Sequence, residues 1–171
     1  MRFAIRPATV DDIPELAALR RVLFEAMGHT NAEALDRMCE ASERYFAEHI
    51  PTGAFRVWVA EVSGEPIASI GLVVHSVPPS PQNLAGKEAY IMNLVTLPEH
   101  RRCGIARGLL DCVLDVCRRE EIPIASLHAT SDGHGIYERA GFTIDTVLPE
   151  MRRPMAESAT TEAASGTCSP S

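Results

Sequence analysis

The stretch Leu94 to Asp111, read L-V-T-L-P-E-H-R-R-C-G-I-A-R-G-L-L-D, gathers three arginines, Arg101, Arg102 and Arg107, around a glycine at a chain reversal. An apolar strand end breaks at Pro98 and passes through the basic turn Arg101-Arg102-Cys103-Gly104. A helix follows, with Ile105, Leu109, Val113 and Val116 on its apolar face and Cys112 and Cys117 on or near it. Strand, glycine turn and helix in that order aim backbone N–H groups at an anion. No Ser, Thr, Asp or Asn lies between Leu97 and Cys103, so no side chain is placed to cap the helix. Its first N–H groups are left for a ligand. Gly104 and Ala106 keep the main chain open to a bulky group. The arginines add positive charge beside the positive end of the helix dipole. Turn chemistry alone leaves open an ordinary strand-to-helix turn with solvated arginines. A Walker loop is excluded, because G-x-x-x-x-G-K-[ST] is absent and Lys87 is the only lysine. So is a dinucleotide fingerprint, since G-x-G-x-x-G does not occur.

The turn Arg101-x-x-Gly104-x-Ala106 resembles the acyl-CoA signature Q/R-x-x-G-x-G/A of the GNAT N-acyltransferase family. A second piece, Gly135-Ile136-Tyr137-Glu138-Arg139-Ala140-Gly141-Phe142, resembles that family's L-Y-E-x-x-G-F segment. The resemblance spans roughly residues 3 to 151. It implies an acetyl-CoA-dependent N-acetyltransferase acting on a primary amine of a small molecule or peptide by direct transfer, with no metal. The coenzyme A diphosphate would rest on the N–H groups of Arg102, Cys103, Gly104, Ile105, Ala106 and Arg107, with Arg101 adding charge. The amide-rich pantetheine arm would pair with Leu94, Val95 and Thr96, as an added strand does. A backbone N–H there would hold the thioester oxygen as charge builds on it. Many relatives carry an asparagine before the tyrosine helix; here Ser131 would substitute as a short hydrogen bonder, and Asp132 would cap that helix.

Acyl transfer also needs proton traffic. A phenol, with an ordinary pKa of about 10, can protonate a thiolate of about 8.5, and the family places a tyrosine at the position of Tyr137. An alkyl amine of pKa about 10.4 costs about 4.6 kcal/mol to neutralise at pH 7, so a base helps, though water can carry the proton. His128 is the candidate base, near where some relatives keep a glutamate. A core or partly exposed histidine is the alternative. Asn93 and Tyr90 are alternates for orienting the amine or a water.

The composition is compatible with that chemistry. Hydrophobic content of 46% and charged content of 23% are those of a globular chain. A net charge of −7 argues against a general nucleic-acid binder. No signal peptide and no membrane-length apolar run are present. Five cysteines, at 39, 103, 112, 117 and 168, form no C-x-x-C pair. A reducing cytoplasmic location fits them. None is placed as an acyl-carrying nucleophile.

Elements to position these residues can be read along the chain. Phe3 to Pro7 is a short strand. Thr9 and Asp12 form a capping box before a helix carrying Ile13, Leu16, Ala17, Leu19 and Leu23, which ends by Gly28. Ala32 to Ile50 is a second, weakly amphipathic helix. Phe55 to Val62 alternates as a strand, with Phe55, Val57 and Val59 on one face and Arg56, Trp58 and Ala60 on the other. Ile67 to His75 is a more central strand in which Gly71 marks a bulge or a close approach. Val77 to Lys87 is a loop, Glu88 to Thr96 a strand, and Ile124 to Ala129 another. The Ser131-Asp132-Gly133 turn opens a short helix ended by Gly141, and Phe142 to Met151 is a last strand.

That order predicts an α+β fold with antiparallel hairpins first and a strand–helix–strand crossover later. The resemblance adds a mostly antiparallel twisted sheet of six to seven strands with a parallel pair splayed at the cofactor site, flanked by about four helices. One domain over residues 1–153 would be followed by a disordered tail over 154–171. Pairing of two copies through late strands is possible. Acceptor specificity would come from the second helix and the 77–87 loop. The rival function is an acyl-CoA-binding sensor without turnover. A nucleotide hydrolase or kinase lacks its lysine and paired metal carboxylates.

Overall fold

The computed structural model describes residues 2–145. Its elements are β1 (Ala4–Pro7), a 3-10 turn (Val10–Asp12), α1 (Ile13–Ala26), α2 (Ala32–His49), β2 (Arg56–Val62), β3 (Glu65–Ser76) and β4 (Lys87–Thr96). A second 3-10 turn (Pro98–His100), α3 (Ile105–Arg119), β5 (Ile124–Leu127) and α4 (His134–Glu138) complete it. The strands lie side by side in the order β1-β2-β3-β4-β5. The first three pairings are antiparallel and β4–β5 is parallel, joined by the α3 crossover.

Among the described residues the sheet therefore has five strands, not six or seven. The expected last strand, Phe142 to Met151, is the difference: residues 142–145 form no strand, and the remainder lies outside the described residues. The tail over 154–171, with Cys168, also lies outside them.

Period-two alternation splits the sheet into two buried faces. Trp58, Ala60, Ala68, Ile70, Leu72, Ala89 and Ile91 face α3, which buries Ile105, Leu109, Leu110, Val113, Val116 and Cys117 against them. Cys112 is only half-buried; Leu110 takes the inner position instead. On the opposite face, Val57 and Val59 join Phe55, Leu16 of α1 and Phe46 of α2. Phe46 and Phe55 stack with ring centres 5.6 Å apart. Full burial of Phe55 contributes about 2–3 kcal/mol. The second helix is more sharply sided than its composition suggests, burying Leu35, Ser42 and Phe46 along one stripe.

Gly71 meets the expectation of a close approach, while the bulge beside it is carried by β4 rather than by Gly71's own strand. The register shifts between Ser69 and Gly71, and a Cβ on Gly71 would sit 2.5 Å from the Phe55 ring. That close approach lets Phe55 cross the sheet face. No helix among the described residues is long and apolar enough to cross a membrane.

Candidate functional site

Two irregularities in β4 open a cleft. The first is a bulge. Met92 pairs with Gly71 and Val95 with Ser69, so Asn93 and Leu94 together oppose Ile70 alone. Asn93 takes a left-handed φ of 55°, which asparagine tolerates better than most residues. The extra residue turns Asn93 to the α1 side, where it shares a small cavity with Leu16 and Arg20. The second is a splay. Parallel pairing with β5 runs only from Glu88–Ile124 to Ile91–Leu127. From Met92 to Thr96 the β5-side edge of β4 has no ladder partner among the described residues.

The resulting cleft has a volume of about 950 Å³. It runs from the end of α1, along Asn93 to Thr96, to the turn before α3 and across to α4. Every residue singled out from the sequence lines it except Cys103 and Tyr90. Cys103 is exposed and its thiol points to the Arg101 carbonyl at 3.5 Å. Tyr90 lies one layer back, its hydroxyl 2.6 Å from His128 Nδ1.

The turn at 101–107 has a distinct hydrogen-bond record. Arg101 N–H donates to the Pro98 carbonyl, and Gly108 N–H donates to the Gly104 carbonyl. Between them, the N–H groups of residues 102 to 107 make no hydrogen bond among the described residues. No side chain caps α3. Gly104 sits at φ +80°, with no atom within 4 Å of where a Cβ would be, and Arg102 is also left-handed at φ 59°. Alternating backbone handedness is how consecutive amides converge on one point. The arginine side chains are less uniform. Arg101 Nε donates to the Thr96 carbonyl at 3.2 Å, which ties the turn to β4. Arg107 pairs with Asp111 at 2.9 Å and donates to the Arg139 carbonyl, so much of its charge is offset and its side chain clamps the end of α4. Arg102 is exposed, with no ion pair among the described residues.

Thr96 lines the cleft, and its Oγ1 is buried with no hydrogen-bond partner among the described residues. An orphaned hydroxyl and a row of unused amides in one cleft fit an elongated ligand with polar groups and a diphosphate. The donors present suit coenzyme A.

Tyr137 faces the cleft from α4, half-buried, with its ring 6.0 Å from Phe142. Burial pushes its phenol above the usual tyrosine range. Ser131 lines the loop between β5 and α4. Asp132 does not cap α4: Gly133 holds the cap position and no side chain bonds there. Thr130 supports the loop instead, its Oγ1 accepting from Gly133 N–H at 3.2 Å. The thiols of Cys112 and Cys117 are pushed up by burial.

The far end of the cleft departs from expectation. Neither α2 nor the 77–87 loop lines it. Leu23 and Ala26 of α1 and Met27 just after it do. Arg20 escaped the sequence reading altogether. It stands four residues after Leu16 and three before Leu23, on the apolar stripe of α1, and a cation in that register was the available signal. Its guanidinium lies 4.9 Å from the Phe24 ring centre, donates to Asn93 Oδ1, and is pulled below its usual pKa by burial.

The sequence matches no curated relative. Among solved structures, a GCN5-related N-acetyltransferase from Ralstonia eutropha JMP134 is 32% identical, covers 90% of this chain and 99% of its own, and superposes with a TM-score of 0.81. A predicted acetyltransferase from Clostridium acetobutylicum, solved with acetyl-CoA, is 26% identical over 88% of this chain and 96% of its own, with a TM-score of 0.77. The glucosamine-6-phosphate N-acetyltransferase of Arabidopsis thaliana shares the fold at 16% identity, covering 91% of this chain and all of its own, with a TM-score of 0.65. The acetyltransferase (GNAT) family model matches residues 18–142, from α1 through the turn and the splayed strands to Phe142. With that match laid over the bulged strand and the uncapped helix, the chain belongs to the GNAT acetyltransferase family.

Proposed function

We propose that this protein moves an acetyl group from acetyl-CoA to a primary amine, by direct transfer with both substrates bound. The observation that carries the reading is the run of six unpartnered N–H groups, 102 to 107, opening onto a cleft that reaches Tyr137. Acetyl-CoA supplies an activated acyl carbonyl and a thiol leaving group. Backbone N–H groups of Arg102 to Arg107 hold the diphosphate, each charge-assisted bond adding about 1.5–3 kcal/mol. Arg101 and Arg102 add positive charge there, while Arg107 acts mainly through its backbone because Asp111 holds its side chain. Leu94, Val95 and Thr96 offer the open edge of β4 to the amide-rich arm, and the Thr96 hydroxyl gains a partner. Ser131 borders the same arm from the opposite wall.

Proton handling falls to two side chains. Tyr137, kept protonated by burial, delivers a proton from Oη to the departing sulfur. His128 takes the amine proton. The Tyr90 hydroxyl, 2.6 Å from Nδ1, fixes the orientation of its ring. Water is the alternative carrier, and Tyr90 then orients His128 without a proton role. Asn93 orders the acceptor side of the bulge. The half-buried Cys112, the buried Cys117 and a Cys103 turned away from the cleft support transfer without an acyl-enzyme.

Free-thiol release from acetyl-CoA over a panel of amines, with mass spectrometry of the products, tests the assignment. Tyr137→Phe is expected to lower kcat about 100-fold while leaving the acetyl-CoA Kd within twofold. Tight acetyl-CoA binding with no turnover on any amine would instead mark a sensor. An acetylated cysteine in the trapped enzyme would replace direct transfer with a two-step route.

A further inference from the structure

The two arginines at the middle of α1 are treated differently by the fold. Arg21 pairs with Glu25 and Asp36. Arg20 is half-buried, and no Asp or Glu among the described residues pairs with it. Its Nη1 donates to Asn93 Oδ1, and its Nε is buried with no hydrogen-bond partner among the described residues. A guanidinium withdrawn from water without a counter-charge is unfavourable unless something else completes its shell. Phe24 and Asn93 supply part of that shell, and neither is an anion.

The position is as informative as the missing partner. Asn93 lines both the cleft and the small cavity of about 10 Å³ beside Arg20. It is also the first residue of the bulge, next to the Leu94 edge. Arg20 therefore stands behind the α1 side of that edge, where the cleft is walled by Leu23, Ala26 and Met27. The only carboxylate among the described lining residues is Asp132, on the opposite wall before α4. An acceptor with several ammonium groups would need acidic side chains at the α1 end, and the described residues supply none there. An acceptor with an anionic group would need a planar fork of N–H donors, and Arg20 has one with a single hydrogen bond made.

We propose that Arg20 anchors an acceptor subsite for amines that carry a carboxylate, so that the acceptors are aminocarboxylates. This rests on the transferase reading above. The amine nitrogen forms the new amide bond as the carbon–sulfur bond breaks; the nitrogen loses one proton and the sulfur gains one. The carboxylate takes no part and fixes only where the nitrogen lies, so Arg20 is a specificity-determining residue.

The test compares the twenty L-α-amino acids, β-alanine and 4-aminobutyrate with their carboxamides as acceptors, for the wild type, Arg20→Gln and Arg20→Lys. Calorimetry of the same compounds is run on protein saturated with coenzyme A. At least one carboxylate form is expected to exceed its carboxamide about 100-fold in kcat/KM, as a charge-assisted pair implies. In Arg20→Gln that preference should fall to within about threefold, through the acceptor KM, with the acetyl-CoA Kd unchanged as proof of folding. Arg20→Lys should keep an intermediate preference, because it keeps the charge and loses the fork. Equal use of carboxamides by the wild type, or an undiminished preference in Arg20→Gln, overturns the subsite. Carboxylate binding that needs Arg20 but gives no thiol release upholds the subsite and overturns the transferase reading. Absence of both binding and release across the carboxylate panel overturns the subsite.

Discussion

Two helices of this protein begin in opposite ways. The approach to α1 is closed at the 3-10 turn Val10–Asp12 that leads into it, although no side chain caps Ile13–Ala26 itself. Thr9 Oγ1 accepts from Asp11 N–H at 3.3 Å, and Asp12 Oδ2 accepts from Thr9 N–H at 2.7 Å. Arg6 grips both oxygens of the buried Asp12 at 2.8 Å and reaches Glu61 at 2.7 Å, joining β1, β2 and α1. The Arg6 hydrogen bonds hold the Asp12 carboxyl below its usual range. The start of α3 is open: no cap, a left-handed glycine and six idle amides. One terminus spends its polar groups inside the protein, as stability requires. The other withholds them, which is tolerable only because they face solvent or a ligand. Local sequence marks the contrast, with T-V-D-D before one helix and R-R-C-G before the other.

The sharpest way to break this contrast is Gly104→Val. A β-branched residue at φ +80° is strained and obstructs the close approach. Calorimetry should show acetyl-CoA binding weakened about a thousandfold, about 4 kcal/mol, equivalent to losing two charge-assisted bonds. Stability should fall by only about 1–2 kcal/mol. If binding survives, the open terminus is not the diphosphate site.

Asp12→Ala should do the reverse. The Arg6 side chain is 35% exposed, so the loss is discounted from that of a fully buried pair to about 2 kcal/mol, or roughly 4–8 °C in Tm. Acetyl-CoA affinity should stay within twofold. Because the Asp12 pKa is depressed, its contribution is complete above the ordinary aspartate value of about 3.9 and is lost as pH falls through the lower folded value. Urea midpoints for wild type and variant should therefore converge below about pH 4. Parallel curves down to pH 2 would show that Asp12 is not what holds α1 to the sheet.

Thr96→Val should have the smallest effect. Removing a buried hydroxyl without a partner should leave stability unchanged or raise it by up to about 1 kcal/mol. Acetyl-CoA binding should weaken by about threefold or less. A clear loss of stability would mean that the hydroxyl is satisfied in the folded protein and was not kept for a ligand.

Much of this was legible locally. The alternation of Phe55 to Ala60 assigned both sheet faces correctly, because a strand's side chains alternate whatever surrounds it. The missing cap before Ile105 was visible as an absence of short polar residues from Pro98 to Arg102. Other features were not local. Asp132 reads as a cap and is none, since the loop is held by Thr130. Arg107 reads as a ligand-facing charge and is held by Asp111 one turn on. Arg20 stands out in the sequence only as a cation on the apolar stripe of α1; the bulge that turns Asn93 toward α1 gives it a partner and a place.

The order of residues by itself determined most of the elements, though not the strand expected from Phe142, together with the split of the strands into two faces and the bare amide terminus after Pro98. Propensity, period and capping act over a few neighbours, and those neighbours are written in the chain. Tertiary structure decided where β4 and β5 part, which arginines are paired within the protein, and that α1 rather than α2 walls the far end of the cleft. Each depends on what lies opposite a residue across the sheet, and pairing register and desolvation exist only once the strands have met.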